Sequence, residues 1–128
     1  MSDAAAPRPG TINWVDLTVA DAPGVRDFYT TVVGWESSGV DMGGYEDWCA
    51  APPGEAAPVA GICHARGGNT SLPPVWVVYF TVADIDQSLE SVRRLGGEVL
   101  NGPRSMGKAR YAVVRDPAGA ACALFQPG

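Results

Sequence analysis

Few side chains in this sequence have the chemistry of a catalytic or metal-binding group. The chain has one histidine, His64, and three cysteines, Cys49, Cys63 and Cys122. The cysteine count is odd and lacks C-x-x-C spacing, and each cysteine lies in an apolar, strand-like segment, which is typical of free thiols packed as small apolar groups. We therefore predict no disulfide framework, and we interpret His64 as a residue at a strand end or pocket wall.

The carboxylates give one candidate of a different kind. Asp16 lies within an apolar strand pattern, where it could anchor a hydroxyl or amine of a ligand or pair with a basic residue such as Arg110. Glu46 and Asp47, in the segment GGYEDW, are interpreted as part of a solvated face. No paired carboxylates of the general acid and base type are evident.

An internal repeat shows which elements must position these side chains. The segment TVAD occurs at residues 18–21 and again at 81–84, 63 positions later. The same offset aligns Val15 with Val78, Leu17 with Phe80, Gly34 with Gly97, Gly44 with Gly107 and Trp48 with Tyr111. Two copies of one module therefore fill the chain.

Each copy is predicted to be a β-α-β-β-β module. Apolar alternation predicts an opening strand in both copies, and Asp21 and Asp84 are the expected N-caps of the helices that follow. In the first helix the apolar stripe is Val25, Phe28, Tyr29, Val32 and Val33, and in the second it is Ile85, Leu89, Val92 and Leu95. Three short strands follow each helix, at residues 35–40, 45–50 and 58–64, and at 97–100, 109–115 and 120–126.

Composition bounds the class of protein. With 46% hydrophobic residues, 18% charged residues and a net charge of −5, the chain is expected to be a soluble globular protein without nucleic-acid or membrane partners. Residues 1–10 have no apolar core region and are interpreted as a flexible tail of a cytoplasmic protein. Residues 11–128 are predicted to form one domain of two repeats, 11–64 and 75–127, joined by a linker at 65–74, because one four-stranded sheet with one helix leaves a face uncovered.

The paired modules, with LTVADAPGVRDFYTTVVGWE, VYFTVADIDQSLESVRRLGGEV and DPAGAACALFQP, resemble the vicinal oxygen chelate superfamily, which contains glyoxalase I, extradiol dioxygenases and bleomycin-resistance proteins. The resemblance covers residues 12–127. It implies an α+β fold of two tandem modules whose curled mixed sheets enclose a cavity, with the helices on the outer face. It also implies a homodimer.

In metal-dependent members of this superfamily, ligands stand in the first and last strands of a module. The resemblance places these positions at Trp14 and Val77 in the first strands and at Ala60 and Ala123 in the last strands. None of these side chains has a donor atom for a divalent metal. We therefore expect no metal and no other cofactor.

The same strands predict an aromatic pocket lined by small residues, the usual composition of a small-molecule site. The predicted ligand-binding residues are Trp14, Asp16, Trp48, Ala60, Ile62, His64, Val77, Tyr79, Arg110, Tyr111, Ala123 and Phe125. The absence of a metal constellation and of paired carboxylates favours a binding protein, similar to the bleomycin-resistance members and without assigned catalytic residues, that sequesters a hydrophobic or aromatic natural product such as an antibiotic. The alternative is a metal-independent enzyme acting on a small aromatic or carbonyl substrate, with Asp16, Tyr79 or His64 supplying acid and base chemistry.

Overall fold

The computed structural model describes residues 7–128, and over this range the chain forms the two predicted β-α-β-β-β modules. The first contains β1 (Ile12–Val19), α1 (Ala22–Val33), β2 (Glu36–Asp41), β3 (Glu46–Ala51) and β4 (Ala60–His64). The second contains β5 (Trp76–Thr81), α2 (Ile85–Arg94), β6 (Glu98–Met106), β7 (Ala109–Arg115) and β8 (Ala121–Gln126). The predicted α+β fold class and element order are confirmed.

The chain divides into two compact units. Residues 14–76 form one unit, and the described residues up to 13 together with 77–128 form the other. A short 3-10 turn, Gly67–Asn69, lies in the segment that was predicted to link the repeats.

In the unit of residues 14–76 the strand order is β2-β3-β4-β1, with β1 and β4 parallel and the other pairs antiparallel. The carboxylate of Asp21 caps α1 by accepting a hydrogen bond from the amide of Gly24, and Gly34 ends the helix at a positive φ of 84°. Ala22, Trp48 and Ile62 form the core between this helix and its sheet.

The other unit repeats this arrangement with the strand order β5-β8-β7-β6 and a parallel pair of β5 and β8. Asp84 caps α2 by accepting from the amide of Gln87. Ile85 and Leu89 of the helix are buried against Ala112 and Val114 of β7. Each helix therefore covers one face of its own sheet.

Part of each predicted apolar stripe is exposed. In α1, Phe28 is 56% and Val32 is 62% exposed, while Ala22 is fully buried; Leu95, just beyond α2, is 67% exposed.

Among the described helices, neither is long and apolar enough to cross a membrane.

The segment before β1 was predicted to be a flexible tail over residues 1–10. Residues 1–6 lie outside the described part of the chain. In the rest, the amide of Gly10 donates to the carbonyl of Thr81, and the amide of Thr81 donates to the carbonyl of Thr11. Residues 10 and 11 thus hydrogen-bond to the end of β5.

Candidate functional site

The sheet of residues 14–76 has one face against α1 and one face that this helix does not cover. Leu17 lies beside Ile62 in the parallel pairing of β1 with β4, and Ile62 packs against Ala22 of α1. Successive residues of a strand point to opposite faces. Asp16 and its neighbour across the pairing, Gly61, therefore belong to the helix-free face.

Trp14 and Asp16 form a polar pair on this helix-free face. The indole Nε1 of Trp14 donates a hydrogen bond of 2.6 Å to the carboxylate of Asp16. A β-carbon at position 61 would collide with that carboxylate and would lie 3.4 Å from the same indole nitrogen. Because Gly61 has no β-carbon, the carboxylate of Asp16 can occupy this space. The orientation predicted for Trp14 and Asp16 agrees with the structure.

The orientation predicted for three other residues of this unit is wrong. Trp48 and Ile62 lie in the core against α1, and Ala60 is on the same side because it precedes Ile62 by two residues. The prediction assumed the same offset between the two repeats at every residue. In the parallel pairs, however, Asp16 lies beside Gly61 whereas Tyr79 lies beside Ala123. The equivalent of Ala123 is therefore Gly61 rather than Ala60.

Two thiols lie on the same side as Asp16. Cys49 pairs with Gly61 in the antiparallel register, and Cys63 pairs with Thr18. Burial raises the pKa of the Cys63 thiol far above its ordinary value, and the charges of Asp16 and Asp47 raise it further. Burial, followed by the charge of Asp16, also raises the pKa of Cys49. Both thiols are free, as predicted, and remain protonated at neutral pH.

The lone histidine has a carboxylate partner that the sequence did not indicate. Oδ1 of Asp47 lies 3.0 Å from Nδ1 of His64 and accepts a hydrogen bond of 2.9 Å from the backbone amide of the same residue. The side chains of His64 and Asp47 are 18% and 11% exposed. The interpretation of Asp47 as part of a solvated face is therefore wrong, whereas Glu46 is exposed as expected.

Aromatic rings and cations surround this histidine. The ring centroids of Tyr45 and Trp48 each lie 5.3 Å from that of His64. The guanidinium carbon of Arg66 lies 3.8 Å from the centroid of Tyr45, and that of Arg26 lies 4.5 Å from the centroid of Trp48. At these distances each cation interacts with the face of a ring.

In the other unit, the helix-free face of the sheet is apolar. Tyr79 lies beside Ala123 in the parallel pairing of β5 with β8, and Ala123 pairs with Val113. The rings of Tyr79 and Tyr111 are 6.3 Å apart. The predicted residues on this face are Val77, Tyr79, Tyr111, Ala123 and Phe125, and the strand alternation opposite the α2 core agrees with that orientation.

Arg110 belongs to the α2 side of this unit instead. Its two terminal nitrogens donate to the carboxylate of Asp86, on α2, at 2.8 and 3.0 Å. This bidentate hydrogen bonding lowers the pKa of Asp86. Arg110 was predicted as a ligand-binding residue and as a candidate partner of Asp16, but in the structure its guanidinium is paired with Asp86.

The positions that the resemblance assigned to metal ligands do not fit a metal. They carry Trp14, Val77, Ala123 and, after the correction, Gly61, and none of these has a donor side chain. Nowhere in residues 7–128 do three or more histidine, cysteine or acidic side chains form a group that could hold a metal ion.

A separate groove of about 500 Å³ lies between α2 and the ends of β7 and β8. Its walls are mainly apolar and include Val92, Leu95, Val114 and Pro117. Burial raises the pKa of the thiol of Cys122, which also lines it. No residue pattern predicted this groove, because both of its walls were assigned to the core between helix and sheet.

Comparison with known proteins identifies relatives over nearly the whole chain. The family model described as the Glyoxalase/Bleomycin resistance protein/Dioxygenase superfamily matches residues 11–124. A Mycobacterium bovis protein named "Putative glyoxylase CFP32" is 37% identical over 123 residues, which are 93% of this chain and 46% of the relative. The anthracycline biosynthesis protein DnrV of Streptomyces peucetius is 33% identical over 136 residues, covering 94% of this chain and 48% of the relative. The chain thus spans about half the length of these curated relatives.

A solved structure gives the same fold. The crystal structure of methylmalonyl-CoA epimerase from Mycobacterium tuberculosis matches with a TM-score of 0.51 and 20% sequence identity, covering 98% of this chain and 93% of that chain. At this level of identity the likeness concerns the fold alone.

Proposed function

We propose a function from one premise, that this chain belongs to the Glyoxalase/Bleomycin resistance protein/Dioxygenase superfamily. On that scaffold, the chain binds a flat, hydrophobic or aromatic small molecule without a divalent metal. The molecule is a natural product, and binding sequesters it. The observation that carries the proposal is the replacement of every assigned metal position by tryptophan, valine, alanine or glycine.

The chemistry of the two helix-free faces supports a ligand of this kind. In the unit of β5 to β8, the face carries Tyr79, Tyr111 and Phe125 around the small residue Ala123. Aromatic side chains with small neighbours leave flat apolar surface for stacking, and they dominate small-molecule sites. In the other unit, the Trp14 and Asp16 pair offers a carboxylate that is already hydrogen-bonded and could orient a hydroxyl or amine.

The relatives favour an aromatic ligand over other small molecules. Two Streptomyces proteins that are 33% and 32% identical to this chain are named anthracycline biosynthesis proteins. Anthracyclines are planar and polycyclic, so they match a face that carries aromatic side chains. The three free thiols are consistent with a cytoplasmic location for this activity.

The test is a titration with daunorubicin, an anthracycline, followed by quenching of tryptophan fluorescence. We expect the quenching to saturate when the ligand and the chain are equimolar. The Tyr79→Ala variant should bind the ligand more weakly. An aromatic anchor of this kind typically contributes about 2 kcal/mol, or about thirtyfold in Kd. Phe80→Ala is the matched control, because Phe80 points to the opposite side of the same strand.

The absence of saturable quenching by daunorubicin would refute an anthracycline-type ligand. Equal losses of affinity in Tyr79→Ala and Phe80→Ala would refute the assignment of the helix-free face. All titrations contain EDTA, so saturable binding also supports the proposal that the ligand binds without a divalent metal.

A further inference from the structure

We propose that the groove between α2 and the ends of β7 and β8 binds a free fatty acid, with the aliphatic chain in the groove and the carboxylate beside Arg115. The groove lies on the α2 side of its sheet, whereas the flat ligand proposed above is assigned to the helix-free face. This inference therefore goes beyond the proposed function and does not depend on it.

The size and the walls of the groove suit a flexible apolar chain. Its volume of about 500 Å³ lies within the range typical of small-molecule sites. The α2 wall contributes Val92 and Leu95, and the sheet wall contributes Val114 and Leu124. None of the described residues that line the groove is aromatic, so it lacks the stacking surface that a flat ring system uses. An aliphatic chain is the better match.

The register of the sheet gives the direction of the groove. Val114 pairs with Cys122, and Leu124 follows Cys122 two residues further along the same face of β8. A β-carbon on Gly97 would lie 2.7 Å from the carbonyl oxygen of Arg115, so the segment after α2 adjoins the end of β7. An extended chain that starts at this end passes Cys122 and continues toward Leu124.

Arginine side chains provide positive charge at this end of the groove. Nε of Arg115 donates to the carbonyl of Gly119 at 3.2 Å, and Nη1 lies 3.5 Å from the carboxylate of Glu98. The side chains of Arg115 and Glu98 are 37% and 67% exposed, so this ion pair is weak and can exchange partners. On the α2 wall, Nη2 of Arg94 donates to Oγ of Ser91, which lines the groove. A carboxylate at this end therefore meets a guanidinium group from each wall.

The other polar groups of the groove are compatible with a single anionic head. Oδ1 of Asp116 accepts hydrogen bonds from the backbone amides of Ala118 and Ala120, which hold this carboxylate within its own turn. Further along α2, the lining residues Gln87 and Ser88 are uncharged. Charge is thus concentrated at one end, as in a fatty acid, and hydrogen bonds between a guanidinium and a carboxylate are among the strongest in proteins.

The first test is calorimetric titration of the protein with sodium dodecanoate below its micelle-forming concentration. We expect saturable binding of a single molecule per chain. Arg115→Gln should weaken binding about tenfold, the effect typical of losing a charge-assisted hydrogen bond. Arg104→Gln removes the same charge from an exposed position of β6 and should leave Kd unchanged. Absence of saturable binding, or equal Kd values for the two variants, would overturn the proposal.

A second substitution should change the affinity in the opposite direction. Glu98→Gln removes the carboxylate that competes for Arg115, so dodecanoate should bind about two- to fivefold more tightly, the range that an exposed ion pair supports. This comparison decides the outcome even if Arg115→Gln does not fold, and a general loss of stability would not produce tighter binding. Unchanged or weaker binding by Glu98→Gln would overturn the proposal.

The thiol of Cys122 reports directly on occupancy of the groove. Cys122 lines the groove, whereas Cys49 and Cys63 belong to the sheet of the other unit. Bound dodecanoate should slow the alkylation of Cys122 by N-ethylmaleimide, measured on peptides by mass spectrometry, and should leave the other two thiols unaffected. Protection of none of the thiols, or equal protection of all of them, would overturn the assigned site.

Two further ligands separate the contributions of chain and head group. Hexanoate should bind more weakly by more than about tenfold, because its shorter chain buries fewer methylene groups. Dodecyltrimethylammonium has the same chain as dodecanoate with a cationic head, and repulsion by Arg115 should weaken its binding. Equal affinity for the anionic and cationic ligands would overturn the assignment of the carboxylate.

Daunorubicin distinguishes this proposal from the function proposed above. Arg115→Gln should bind daunorubicin as the wild-type protein does, because the groove and the helix-free face are on opposite sides of the sheet. Weaker dodecanoate binding with unchanged daunorubicin binding therefore supports the groove as a separate site. Failure of the wild-type protein to bind daunorubicin, with dodecanoate binding as expected, concerns only the proposed function.

Discussion

The carboxylate of Asp16 occupies the space beside Gly61 in which a β-carbon would stand. The two residues are neighbours in the parallel pairing of β1 with β4. Tyr79 and Ala123 have the same relationship in the other unit, but there a methyl group is accommodated. In the first unit, the polar side chain of Asp16 therefore lies beside glycine, the smallest residue, in the last strand of that unit.

Gly61→Ala should therefore destabilise the protein. The added methyl group would displace the carboxylate of Asp16 and crowd the indole of Trp14, and overpacking of this kind costs about 1 to 3 kcal/mol. Urea denaturation measures the free energy of unfolding. Gly39→Ala is the matched control, since the three atoms nearest to its β-carbon would all belong to the exposed carboxylate group of Glu46.

A second variant checks the cause of this destabilisation. The double substitution Asp16→Ala, Gly61→Ala removes the colliding carboxylate and should be more stable than expected from adding the effects of the two single substitutions. Additive effects, or a Gly61→Ala protein as stable as Gly39→Ala, would contradict the proposed steric relationship.

The thiol of Cys63 should make stability depend on alkaline pH. Burial, with the charges of Asp16 and Asp47, raises its pKa in the folded protein, so above the ordinary value of 9.0 the unfolded chain loses this proton while the folded chain keeps it. The unfolded state then binds fewer protons, and the free energy of unfolding falls as pH rises past 9.0. Below that pH the contribution of this thiol is constant.

Urea denaturation from about pH 7 to about pH 10 measures this dependence. Cys63→Ala should have a shallower decline at the alkaline end because it lacks the titrating group. Superimposable slopes for the two proteins above pH 9.0 would show that the thiol ionises equally in both states.

The repeat predicted most of the fold because the modules share capping and alternation signals. Asp21 and Asp84 cap their helices as expected, and the strand predicted at 109–115 is observed at Ala109–Arg115. β6 extends to Met106, beyond the predicted 97–100, because the segment continues to pair with β7 through irregular register. Local patterns do not reveal such pairing.

The candidate site was less predictable because strand register depends on the lengths of the loops. The register of β4 against β1 differs by one residue from that of β8 against β5. As a result, Ala60, Ile62 and Trp48 point toward α1. The contact of Asp47 with His64 requires the antiparallel arrangement of β3 and β4, which residue types do not specify.

Purified protein should contain no stoichiometric divalent metal. The assigned positions Trp14, Gly61, Val77 and Ala123 have no donor side chains, so EDTA should leave the melting temperature unchanged. Elemental analysis of protein purified without chelator is the measurement. About one equivalent of zinc, nickel or iron per chain would contradict this expectation.

The chain should form a homodimer in solution. The curated relatives are about twice its length, so two copies would match the size of one relative. Closed twofold assemblies are also the commonest oligomers of soluble proteins. Light scattering coupled to gel filtration should give twice the chain mass of 13.3 kDa. A monomer mass at high micromolar concentration would contradict the expectation.

Trp14→Ala should weaken daunorubicin binding more than it weakens the fold. Trp14 is on the helix-free face and fixes the carboxylate of Asp16, so its loss removes both a stacking surface and the donor that positions the anchor. The expected loss of affinity is about thirtyfold, corresponding to about 2 kcal/mol. Trp14→Phe keeps an aromatic ring without the N–H group, so an intermediate affinity would separate the two contributions.

Trp35→Ala is the control for this prediction. Trp35 packs against Tyr29 and Trp76, so its substitution should lower stability while leaving Kd unchanged. If Trp14 served only for packing, its removal would lower the melting temperature and leave Kd at the wild-type value, and measuring both quantities on one sample distinguishes these outcomes.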